Sequence, residues 1–383
     1  MNQPKTIRQS NFELLRVVAM VMIVGTHLCI HGVQQVLMPE LAYKTYFLGS
    51  SVNKFFVSLF YPGGTIGVAL FFMITGYFLV DKEKISVHKV CLEVVFYCLL
   101  SVIIYGFLQI SFKLWGIGYS FSEYSIPRRI FFALSSILNP LFGTYWFVST
   151  YIILAFLAPS LNHCLLALNK KGYTVLIIFA WFILYLIQTC TESGISNIGR
   201  ACFYYVLGAY FKHNLHGIKH KFYLLILAIL FWLLYSASFY LLDEMRSTQS
   251  LIKITAIQIT GGGINCLLTF LCSYCIFMFF ALNKFGNNKL VNSLGSATFG
   301  VYLIHESILS SYIWNGIFKV PKVQFLSPYF PILTIFDVLM LYMVCTLIDC
   351  LRIRFIEPYY LKVWNKLELL FQTHCIKMEK ENV

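Results

Sequence analysis

Apolar runs of about twenty residues recur from one end of this chain to the other, each bounded by polar or Gly/Pro-containing turns. Twenty helical residues rise about 30 Å, the thickness of a bilayer's hydrocarbon core. The pattern predicts ten spans, near 12–31, 65–80, 90–110, 145–168, 173–190, 197–211, 221–242, 253–281, 296–317 and 330–350. The second and sixth are short, which calls for tilt or local thinning of the bilayer. Two intervening segments are long, 32–64 and 111–144, and hold the amphipathic stretches "NKFFVSLFYPGG" and "SIPRRIFFALSSILNPLFG". These are expected to lie at the interface or to re-enter the protein. No repeat or linker interrupts the pattern, and the tail 351–383 is too short for a second domain. The fold class is therefore all-α: a polytopic membrane bundle of about ten helices forming one domain, 1–383.

Composition agrees: 59% of residues are hydrophobic, 12% are charged, and the mean hydropathy is +0.74. Soluble domains run near a quarter charged. The first apolar run is too long for a cleaved leader and lacks a small-residue cleavage site. The twelve cysteines fall mostly inside apolar runs without motif spacing, so neither disulfides nor a metal site is expected. A net charge of +13 raises the question of nucleic acid, but no basic patch with interleaved aromatics sits on a soluble segment. The basic residues instead flank the apolar runs. Lys82, Lys84, Lys89, Lys170, Lys171, Lys212 and Lys221 fall on one side, which predicts that both termini are cytoplasmic.

The first span departs from the apolar pattern. "NFELLRVVAMVMIVGTHLCIHG" carries Glu13, Arg16, His27 and His31. Arg16 and His27 are eleven residues apart, which returns them to one helical face about 16 Å apart along the axis, and His31 extends the stripe. Charge facing lipid costs several kcal/mol, so the stripe should face a polar cavity. Glu13 is placed to orient Arg16. A membrane histidine can also serve only as a hydrogen bond between helices, but a co-facial arginine adds a group that binds phosphate or carbonyl to one that moves protons near neutral pH.

"NFELLRVVAMVMIVGTH" resembles the first helix of the membrane acyltransferase family three, whose hallmark is a basic residue, ten others, then histidine. "FFMITGYFLV", "YWFVSTYIILAFLAPSLN" and "SLGSATFGVYLIHES" agree with that family in order and spacing. Two departures stand out. Thr75 replaces the family's usual serine, and "DKEKISVHK" stands where many relatives carry Arg-x-x-Arg, so Lys82, Lys84 and Lys89 offer point charges in place of forked guanidinium groups.

The resemblance is closest to the branch that decorates bacterial capsules, exopolysaccharides and lipid-linked glycans. It implies a plasma-membrane enzyme that moves an acyl group, acetyl above all, from cytoplasmic acetyl-CoA or another acyl-CoA to a hydroxyl of a cell-surface glycan or lipid-linked saccharide. In that reading the inner lysines meet the donor phosphates and Arg16 stands at the entrance. His27 is a general base or a transient acyl carrier, and Tyr302 with His305 forms a second polar wall or a substrate contact. The alternative is a transporter or flippase of glycan precursors. Arg128 and Arg129 outside are placed to meet lipid headgroups or a lipid-linked phosphate, Gly261 to Gly263 mark a helix interruption or close packing, and the intramembrane acids Glu93, Asp337 and Asp349 have no assigned role.

Overall fold

The computed structural model describes residues 8–34, 49–114, 145–190, 196–214, 221–244, 267–283 and 286–381. Among them every regular element is helical. In chain order these are α1 (Ser10–His27, continued by a π-helical turn Leu28–Gln34), α2 (Ser51–Phe60), α3 (Pro62–Leu79) and α4 (His88–Leu114). Then come α5 (Trp146–Leu166), α6 (Lys170–Cys190), α7 (Ser196–Asn214), α8 (Phe222–Glu244) and α9 (Leu267–Leu282). The series closes with α10 (Lys289–Ser296), α11 (Thr298–His305), α12 (Phe330–Leu351) and α13 (Glu357–Glu381).

Six stretches among the described residues are long and apolar enough to cross a membrane: Ser10–Val33, Ser51–Leu79, His88–Leu108, Trp146–Leu166, Phe222–Leu241 and Phe330–Leu370. Their outward faces carry Phe107, Phe156, Phe222 and Ile332, each about 70% exposed. Large apolar side chains exposed in this density match a lipid-facing surface. The protein is a membrane helical bundle. Helices α6 and α7 occupy the fifth and sixth predicted spans; α7 carries Asn197, Arg200, Lys212 and His213, which lowers its apolar share.

Three expectations are modified. "NKFFVSLFYPGG" lies within the bundle: it forms α2 and the start of α3, with Asn53, Val57 and Ser58 buried and Asn53 Nδ2 donating to the carbonyls of Phe325 and Ser327. Pro62 opens α3, where its missing N–H costs nothing, and at the break the Thr26 hydroxyl donates to the Phe60 carbonyl at 2.9 Å. The short second span is thereby lengthened to Ser51–Leu79. The ninth span, read as continuous over 296–317, is broken: α11 stops at His305, and beyond it the Ser307 hydroxyl donates to the Ile304 carbonyl and accepts from the Leu309 N–H. Such local hydrogen bonds compete with the helical ladder. The tail forms α13. Of the eighth span only Leu267–Leu282 is described, and "SIPRRIFFALSSILNPLFG", Arg128, Arg129 and Gly261 to Gly263 lie outside the described residues.

Helix α1 packs against α3, α9, α10, α11 and α12, and α3 packs most extensively against α7. The α3–α7 approach is backbone to backbone: a β-carbon at Gly76 would collide with the Tyr205 carbonyl, and one at Gly208 with that of Met73. Small residues permit this proximity where helices associate in lipid. Near the end of α12, Arg352 is 2% exposed and pairs with Asp349 at 2.6 Å, Glu93 at 3.0 Å and Glu357 at 3.1 Å. Two of the three acids left without a role in the sequence are thus partners of one buried cation.

Candidate active site

A cavity of about 1300 Å³ runs between α1, α3, α4, α5, α7 and the α10–α11 segment. At one end it is lined by Arg8, Glu13, Arg16, Lys82, Lys89 and Lys212; at the other by Thr26, His27, Tyr61, Thr65, Trp146 and Tyr302. Arg16 and His27 therefore do share a lined face, as their spacing predicts, and one space joins them.

His27 is held from behind. Its Nδ1 lies 2.9 Å from Glu306 Oε2 and 2.9 Å from His305 Nε2. His305 is fully buried, and its Nδ1 lies 2.6 Å from the Val301 carbonyl, which can only accept. That contact places the His305 proton on Nδ1 and leaves its Nε2 as a lone pair directed at His27. His27 Nδ1 is then the N–H, donating toward His305 and Glu306, and Nε2 is the basic nitrogen of the neutral ring. His31 Nε2 lies 3.1 Å from the same Glu306 oxygen. Of the four residues, His27 lines the cavity, while His31, His305 and Glu306 stand behind it. His305 is thus a support for His27 and not a wall of the cavity. The ligating atoms of His27, His305 and Glu306 all lie within 4.8 Å of one another, close enough to hold a metal ion as well.

Tyr302, one turn before His305, does line the cavity; it is 5% exposed, and its hydroxyl donates to no partner in the structure. Its oxygen faces the Phe147 N–H, so the side left open among the described residues is the donor, which is available to a ligand. Thr75 also lines the cavity, with its hydroxyl donating to the Phe71 carbonyl at 2.8 Å.

At the basic end Arg16 NH1 donates to Glu13 Oε1 at 2.7 Å, and Arg8 stands 3.6 Å from the same oxygen. Glu13 is buried, and its second oxygen has no hydrogen-bond partner. Lys82 and Lys89 line the opening, Lys89 pairing with Glu357 at 2.5 Å. Lys84 is exposed and takes no part in the lining. Lys212 does take part, 4.7 Å above the Tyr77 ring, although the sequence marked it only as a topological charge. Arg200 also lines the cavity. Nothing in a single arginine of an apolar helix pointed to it beyond the cost of placing it there. Glu306 was visible beside His305 in sequence, but its bond to α1 is made only by the fold.

A bundle of apolar helices around a cavity that joins an arginine-lined end to a buttressed histidine defines a class of membrane proteins that handle a polar substrate inside the bilayer. A family model described as an acyltransferase domain matches residues 9–351, and the chain belongs to that family, acyltransferase family 3. The protein is an acyltransferase. No match was found among curated proteins or solved structures.

Proposed function

We propose that the enzyme takes an acyl group, acetyl above all, from acyl-CoA at the basic end of the cavity. It delivers the group to a hydroxyl of a cell-surface or lipid-linked saccharide at the end occupied by His27. The observation that supports this reading is the single cavity joining Arg8, Arg16, Lys82, Lys89 and Lys212 to His27. Cations at one mouth suit the phosphates of a nucleotide thioester, and about 16 Å of helix between Arg16 and His27 suits an extended uncharged arm carrying the thioester inward. With the basic end cytoplasmic, in the plasma membrane, the donor enters from the side where thioesters are made.

In this mechanism His27 Nε2 accepts the proton of the acceptor hydroxyl as its oxygen bonds to the thioester carbonyl carbon. Glu306 lies against Nδ1–H, holds the ring in that tautomer and stabilises the imidazolium that forms, the part an orienting carboxylate plays in a triad. The Tyr302 hydroxyl, free to donate, is the group on the same wall that can meet the developing oxyanion. Collapse of the intermediate breaks the C–S bond, and His27 returns its proton to the departing thiolate. The products are the ester and the free thiol. Direct transfer uses every group in the place where it stands.

The test is mass analysis of the cell-surface polysaccharide with and without the protein, joined to an assay of acetyl-CoA consumption by purified protein. Loss of an ester on deletion, restored by the wild type and not by His27→Ala, is the expected result. An unchanged ester pattern overturns the proposal.

A further inference from the structure

Of the five described arginines, three have acidic partners among the described residues. Arg8 and Arg16 stand against Glu13, and Arg352 against three carboxylates; Arg354 is exposed. Arg200 is half-buried in α7, lines the cavity, and has NH1 within 3.3 Å of the Asn197 amide oxygen. Its Nε is buried with no hydrogen-bond partner. A guanidinium without an acidic partner among the described residues costs several kcal/mol here, while its unpartnered Nε edge has the fork geometry that fits a carboxylate or phosphate.

The depth of Arg200 follows from helix contacts. Helices α3 and α7 run in parallel, with Gly208 against Met73 and Lys212 above Tyr77. Gly76 meets the Tyr205 carbonyl as Gly208 meets that of Met73, and Asp81 pairs with His213, so Gly208 is level with Gly76 and Arg200 with Val68, whose neighbour Gly67 lies against Ile23. Arg200 is therefore rooted about one turn to the basic side of His27 and about 18 Å from Lys212, and its side chain, leaning toward the N-terminus of α7, extends toward the His27 end of the cavity. The donor's phosphates belong at that mouth, and the arm and acyl group that reach His27 carry no charge. What remains to meet a cation at this depth is the acceptor. Trp146, 39% exposed, and Tyr61 supply ring faces on the same part of the wall.

We infer that Arg200 binds an anionic group of the acceptor, a carboxylate or phosphate carried by the saccharide near the hydroxyl that is acylated. This rests on the acyl-transfer reading and adds to it the charge of the acceptor.

The experiment measures the thermal midpoint of purified protein in nanodiscs with acetyl-CoA, glucuronic acid, glucose 1-phosphate and glucose. The two charged sugars are expected to raise the midpoint at concentrations at least tenfold below glucose, and to add to the shift produced by acetyl-CoA. Arg200→Gln should abolish the difference between charged and neutral sugars, Arg200→Lys should keep part of it, and both should retain the acetyl-CoA shift. The inference is overturned if charged and neutral sugars act alike on the wild type, if no sugar shifts the midpoint, or if Arg200→Gln preserves the preference. It is overturned equally if the charged sugars compete with acetyl-CoA, since the anion then sits at the donor mouth. Should Arg200→Gln not fold, the wild-type comparison and Arg200→Lys carry the test. Absence of any acetyl-CoA shift strikes the donor reading alone, because the sugar comparison does not depend on it.

Discussion

Glu306 Oε2 lies 2.9 Å from His27 Nδ1 and 3.1 Å from His31 Nε2, so one carboxylate beyond the end of α11 clamps two imidazoles a helical turn apart on α1. A carboxylate in this position fixes which ring nitrogen carries the proton. Glu306→Gln should preserve the packing but lower kcat by about 10²-fold or more, with a much smaller change in donor KM, because a neutral amide no longer stabilises the imidazolium. Steady-state transfer kinetics on purified protein check this. A KM effect with kcat intact would place Glu306 in binding.

His27→Ala should abolish acyl transfer while leaving expression and membrane insertion at wild-type levels. His27 is partly exposed to the cavity, and without it Glu306 keeps His31 and His305 keeps the Val301 carbonyl as partners. Size-exclusion profile and glycan ester content, measured together, separate loss of chemistry from loss of fold.

Arg16 donates through NH1 to Glu13, which leaves the rest of its guanidinium open to the cavity. Arg16→Lys should therefore retain part of the donor affinity if charge alone acts, and fall close to Arg16→Ala if the fork is used. Acetyl-CoA titrations of the two variants decide between them.

At the mouth, Lys82→Gln combined with Lys89→Gln should raise the donor requirement several-fold, more at low salt, because exposed charges are screened. Lys84→Gln should leave it unchanged, since Lys84 is exposed and away from the lining. Donor titration at two ionic strengths is the measurement.

Arg352→Ala should destabilise the bundle by about 3–5 kcal/mol, because it strands buried acids that now share one guanidinium. Asp349 is fully buried, and its second oxygen already lacks a partner. A lowered thermal midpoint is expected, with the activity of the remaining folded protein close to normal.

Much of this was legible in the sequence where periodicity carries it. The eleven-residue step from Arg16 to His27 put both on one face, and both line the cavity. Apolar length located the helices, because a span must satisfy its backbone internally. What the sequence missed arises from contacts between distant segments. Glu306 reaches His27 only after α11 docks on α1, and Glu93 and Asp349 are explained by Arg352 only once α4, α12 and α13 converge. For the stretch before Pro62 the sequence leaves interface and re-entry both open, because amphipathicity shows that a stretch has two faces without showing which neighbour covers the apolar one. Arg200 showed no period and no motif; its meaning lies in the absence of an acidic partner among the described residues, which only packing reveals.

The early stop of α11 has an electrical consequence. A helix accumulates negative potential at its C-terminus, where the last carbonyls lack ladder partners. Continued to residue 317, as hydropathy alone suggests, the helix would carry that end about 18 Å past His305. Stopped at His305, it sets the Val301 carbonyl of its final turn 2.6 Å from the His305 Nδ1, while the Leu303 carbonyl accepts from the Tyr145 hydroxyl. A terminus of this kind favours a nearby cation by about 0.3–1 kcal/mol. The backbone thus contributes a permanent bias toward the protonated ring, one that no side-chain substitution at Glu306 removes.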